Sequence, residues 1–135
     1  MTILIRTEQI KVKGTKELST LCHISKNLWN EADYLCRQTH FHNKYNPEEP
    51  KEKIPSYAEL DKLLKQSENY KLLPAQSAQQ TLRVLDKSWK SFWESIKEYN
   101  KTPSKFKGQP KPPQFKPKDG EAILIFTNQQ AHIRN

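Results

Sequence analysis

The side chains best spaced for metal chemistry are Cys36 and His40, four positions apart, with Cys22, His23 and His42 in the same stretch. On a helix, Cys and His at i and i+4 share a face and could hold one ion, as in structural zinc sites. The pattern around them argues for buried thiols instead. Cys22 and Cys36 fall on the apolar stripe of a helical segment, His23 falls on its polar face, and no paired Cys-x-x-Cys occurs. No metal and no other cofactor is expected. The two thiols sit too far apart on one helix to bridge, which suits a reducing, cytoplasmic setting.

Hydrolytic chemistry finds no better footing. A metal-dependent nuclease needs converging carboxylates, whereas the acids here lie on helix surfaces or alternate with lysine in PEEPKEK. Glu94 and Glu98 are helix neighbours of the kind that surfaces carry. No serine sits between glycines beside a matching histidine, and three glycines provide no phosphate-cradling loop. No catalytic residue is expected, and the chain is read as a non-enzyme.

The chemistry that remains is cationic. Residues 101–118, KTPSKFKGQPKPPQFKPK, hold six lysines, five prolines, two phenylalanines and no acid. Proline blocks helix and favours extended backbone, so Lys105, Lys107, Lys111 and Lys116 are strung out as a row that could track phosphates, while Phe106 and Phe115 could stack on bases or plug into the fold. A solvated linker or a ligand for a proline-binding module has the same composition. Just before this stretch, Arg83, Lys87, Lys90 and Lys97 fall within about 80° on a helical wheel, interrupted by Glu94.

The whole chain agrees with that emphasis. Its 135 residues carry a net charge of +8 and a mean hydropathy of −0.95, which favours a nucleic acid or another anionic surface as partner and leaves a thin core for one domain. No stretch is long and apolar enough for a membrane span or a secretory leader.

Stepping along the chain, TILIRTEQIKVKG alternates and is β-branched, which predicts a strand or hairpin arm. From Thr15 to about Phe41 the pattern is helical, with Leu18, Leu21, Cys22, Ser25, Leu28, Trp29, Ala32, Leu35 and Cys36 on the apolar stripe and Lys16, His23, Lys26, Asn27, Asn30, Tyr34, Arg37 and Gln38 on a polar face. A proline-broken loop follows. Ser56 and Glu59 form a capping-box signature for a second helix ending near Asn69, and Pro74 suits the first position of a third that runs to about Tyr99. EAILIFTNQQ then predicts a short strand.

The segment LPAQSAQQTLRVLDKSWKSFW resembles the N-terminal region of the TnpB family, the OrfB-type transposases of insertion sequences understood as RNA-guided DNA endonucleases. LWNEADYLCRQ, PKPPQFKPK and IFTNQQ match the family in the same order. The resemblance implies an α+β, mainly α fold: a helical recognition lobe of about three helices inserted into an incomplete wedge-like β-barrel. In those terms residues 1–13 are the first wedge-like strand or strands, 14–100 the recognition lobe, and 101–135 the basic segment with the returning strands. The family's nuclease acids and zinc element would lie beyond Asn135, in a C-terminal nuclease domain that becomes a partner. The implied function is to hold guide RNA and the RNA–DNA heteroduplex and to help read a duplex DNA motif beside the target. By position, Gln76, Gln79, Thr127 and Asn128 are the motif readers. The competing expectations are a stand-alone transposon-derived DNA-binding domain and a basic protein-interaction module.

Overall fold

The computed structural model describes residues 14–126. The expected strand at 1–13, and Thr127 and Asn128 at the end of the returning strand, lie outside the described residues. Four α-helices follow in chain order: α1 (Lys16–Tyr45), α2 (Tyr57–Leu64), α3 (Glu68–Leu72) and α4 (Ala75–Lys101), with a 3-10 turn at Pro103–Lys105.

α1 starts where Thr15 Oγ1 accepts the Leu18 amide at 3.2 Å. It runs 30 residues, about 45 Å at the helical rise. It continues four residues beyond the expected end, until Asn46 caps the His42 carbonyl with both its amide (3.0 Å) and its side chain (2.9 Å). Pro47 forbids further helix.

The expected second helix is two. Ser67 N–H bonds the Leu64 carbonyl at 2.8 Å and its Oγ caps Tyr70 N–H at 3.3 Å. The same hydroxyl donates to Glu31 of α1 at 2.7 Å, so the break docks α3 onto α1. At the start of α2 the Ser56 hydroxyl meets the Glu59 carboxylate at 3.3 Å, while the Tyr57 amide is capped across the fold by Asp86 of α4 at 3.2 Å. Pro74 stands one position earlier than expected, as the N-cap of α4, its carbonyl accepting from Ala78 at 3.0 Å.

The core is the seam between α1 and α4, closed by the short helices. Leu28, Ala32 and Cys36 meet Ala78, Leu82, Leu85, Trp89 and Phe92, and Leu60, Leu64, Tyr70 and Leu73 cover one side. Full burial of each large apolar side chain here contributes about 1.5–3 kcal/mol.

The α+β fold with a barrel is corrected by the structure. The described residues are mostly helical and contain no strand, sheet or barrel. AILIF (122–126) is apolar enough for a strand, but no second strand pairs with it among the described residues. Its backbone is satisfied by helices instead: Ala122 N–H bonds the Cys22 carbonyl at 3.2 Å, and Ser25 and Ser77 hydroxyls bond the carbonyls of Ile123 (3.1 Å) and Ile125 (2.7 Å). Ala122 is buried and Leu124 packs on the core.

Candidate nucleic-acid interface

The lysine and proline stretch does not hang free. Residues 113–122 form a strap that runs antiparallel to α1 along the face expected to be polar. Going up the helix, His23 Nδ1 donates to the Gly120 carbonyl (2.8 Å), Lys26 Nζ to Lys118 (2.6 Å), Asn30 Nδ2 to Lys116 (3.0 Å) and Arg37 to Pro113 (2.6 Å). Asn30 also accepts the Lys116 amide at 2.8 Å, and Trp29 Nε1 donates to Gln114 at 3.3 Å.

Most of these bonds use strap carbonyls as acceptors, and Pro113 offers its carbonyl with no N–H of its own to satisfy. Gly120 closes the strap's turn, its amide bonding the Pro117 carbonyl at 2.9 Å, and a Cβ there would stand 3.1 Å from that oxygen. The polar face of α1 is thus covered by the strap at His23, Lys26, Asn30 and Arg37. Lys26 is only 6% exposed.

Seating the strap brings together lysines that are distant in sequence. Lys87 of α4 and Lys111 and Lys116 of the basic segment line one groove of about 610 Å³, with Ser88, Ser91 and Ser95 along its α4 wall and no carboxylate among its lining residues. Lys116 also lies over the Trp29 ring at 4.5 Å. Lys87 and Lys111 are exposed, and neither has an ion-pair partner among the described residues.

The other expected cations are placed elsewhere. Arg83 lies over the Tyr57 ring at 4.1 Å. Lys90 pairs with Asp86 (3.0 Å), Lys97 with Glu94 (3.6 Å) and Lys105 with Glu98 (3.3 Å). The exposed Lys97 and Lys105 pairs are weak, worth about 0–1 kcal/mol each, and Lys90 reaches the largely buried Asp86, so an acid stands beside each of the three cations. Lys107 is exposed and outside the groove. Gln79 hydrogen-bonds Tyr70. Gln76 is half-buried in the first turn of α4, about 18 Å along the helix from Ser88.

A second groove of about 470 Å³ adjoins the first, sharing Phe92, Pro110, Lys111 and Gln114. Its other walls are Arg37, His40, Phe41 and Lys44 from α1 and Trp93 and Ile96 from α4. His40 stands edge-on to Phe41, Trp89, Phe92 and Trp93 at 4.9–5.6 Å. Burial, then the charges of Lys44 and Arg37, hold its pKa below the ordinary histidine value. Sequence reasoning missed this group: Arg37 was placed only on a polar face, Lys44 lay past the expected helix end, and Trp93 was assigned to packing. The i, i+3 and i+4 run of Arg37, His40, Phe41, Lys44 and Tyr45 was the available signal.

Cys22 and Cys36 are free thiols, and among the described residues no three of His, Cys, Asp and Glu converge as a metal site. No helix among those residues is long and apolar enough to cross a membrane. Comparison with known proteins finds no match: no family model, no curated protein and no solved structure.

Proposed function

We propose that the chain binds nucleic acid without cutting it, gripping the phosphate backbone of a guide RNA or its RNA–DNA heteroduplex, as the N-terminal part of a TnpB-like RNA-guided DNA endonuclease. One observation carries the reading: Lys87, Lys111 and Lys116, from a helix and from an extended segment, line a single groove with three serines and no acid. Lysine ammonium groups and serine hydroxyls are phosphate ligands, and backbone contacts of this kind hold a duplex by shape rather than sequence.

The protein-interaction alternative loses its main support from the strap. A polyproline ligand must present its backbone to a partner's groove, and here the carbonyls of Pro113, Gln114, Lys116, Lys118 and Gly120 are already bonded to α1.

The test is fluorescence anisotropy with structured RNA, RNA–DNA heteroduplex and duplex DNA over a salt titration. Three phosphate contacts give a log–log salt slope of about −3 on duplex. Exchanging Lys87, Lys111 and Lys116 for alanine together should flatten that slope to near zero. Unchanged affinity in the triple variant would sink the proposal, and a preference for plain duplex DNA would favour a stand-alone DNA-binding domain.

A further inference from the structure

The second groove suits a different part of a nucleic acid from the first. Trp93 is 37% exposed, far more than the other large side chains of its face, Trp89 and Phe92, which are 3% and 7% exposed. Its ring lies 5.4 Å from His40 and 4.8 Å from Phe92, so its orientation is fixed from behind. Arg37 is equally fixed, bonded to the Pro113 carbonyl and set between the rings of Phe41 (5.1 Å) and Phe115 (5.2 Å). The charged lining residues are Arg37, Lys44 and Lys111, all cationic.

We propose that this groove takes one unstacked base of a single-stranded nucleic acid, its ring against Trp93 and its phosphate toward Lys44 and Lys111. The proposal rests on the nucleic-acid reading above and names the substrate form: a strand with a free base at the end of the phosphate track. Continuity supports it, because Lys111 and Phe92 belong to both grooves, so a backbone held beside Lys87 passes directly to the aromatic end. Size supports it too, since about 470 Å³ falls within the range of sites that enclose a small organic group. Base–aromatic stacking tolerates any base, so no sequence preference is implied.

The test compares three probes of equal length on the full chain: oligouridine, an abasic phosphodiester strand, and duplex RNA. Trp93→Ala should weaken oligouridine about five- to a hundredfold and leave the abasic strand and the duplex unchanged, while Trp93→Phe retains most of the oligouridine affinity. Unchanged duplex binding also shows that the variant is folded. Lys87→Ala should weaken all three. If Trp93→Ala spares oligouridine, or if the abasic strand binds as well as oligouridine, the base site is wrong while a Lys87 effect keeps the phosphate groove. If none of the probes binds, both readings fall. Displacement of oligouridine by an acidic peptide that itself requires Trp93 would overturn the base site in favour of a protein partner.

Discussion

Trp89 Nε1 donates to Asp33 Oδ1 at 3.0 Å in the seam between α1 and α4, and the carboxylate's other oxygen, Oδ2, meets no donor among the described residues. Asp33 is fully buried, and burial pushes its pKa up to about 6, against the lowering effects of the Trp89 bond and the Arg37 charge. A half-satisfied carboxylate in a core is tolerated best when protonated.

The first prediction concerns pH. An acid whose folded pKa is raised contributes its full stability below the unfolded value, near 4, and loses it as pH rises through about 6. The loss is about 2–3 kcal/mol by neutral pH. His40 works in the opposite direction: its lowered pKa favours the neutral ring, so its contribution is present above the ordinary histidine value and lost on acidification. The difference between wild type and Asp33→Asn isolates the aspartate. Urea titrations should show the variant more stable at pH 8, by about 1–2 kcal/mol because the new amide nitrogen is itself unpartnered, with no advantage at pH 4. Equal stability at both ends would mean that Asp33 is solvated.

A second prediction tests the strap. Asn30 makes a reciprocal pair with Lys116, and Asn30→Ala removes both bonds, leaving a half-buried amide and carbonyl without partners. The cost should be about 1–3 kcal/mol, and hydrogen exchange should accelerate at the Lys116 and Ala122 amides while the core of α4 stays protected. Uniform acceleration throughout would show that the strap is not a separable unit.

Much of the helical skeleton was legible in the sequence. Thr15, Ser56 and Pro74 marked the starts of three helices, and the stripes on α1 and α4 picked out Leu28, Ala32, Cys36, Leu82, Leu85 and Trp89, all of which are buried. The expected barrel was wrong among the described residues, because an apolar run such as AILIF needs only partners for its backbone, and here Ser25 and Ser77 bond the Ile123 and Ile125 carbonyls. The grooves were half legible. Lys87, Lys111 and Lys116 were named, but a helical wheel cannot show that acids at i−4 and i−3 pair with Lys90 and Lys97, nor that a donor row at 23, 26, 30 and 37 is a dock for carbonyls.

Thiol chemistry gives a third prediction. Burial, then the charges of Asp33 and Asp86, push the Cys36 thiol up to about 12, and its Sγ lies 3.8 Å from the Pro55 carbonyl. Cys22 is half-buried and also raised, by burial and then by Glu121. Since the thiolate is the reactive form, a disulfide reagent at neutral pH should modify Cys22 slowly and Cys36 only on unfolding. Rapid modification of both in native protein would contradict the packing of α1 against the loop before α2.

The last prediction separates the groove from the basic stripe of α4. Lys87 and Lys90 are three positions apart on α4 and equally basic, so a reading from composition gives them the same weight. Their surroundings differ. Lys90 is held by Asp86, whose other oxygen caps α2 through the Tyr57 amide, whereas Lys87 lines the carboxylate-free groove. A phosphate near Lys90 would also approach the Asp86 charge, which offsets part of the attraction. Lys87→Ala should therefore weaken binding of structured RNA and reduce the magnitude of the log–log salt slope by about one. Lys90→Ala should change affinity little and leave the slope as it was. Equal losses from the two variants would show that RNA lies across the exposed face of α4, with the strap serving only to hold the helices together.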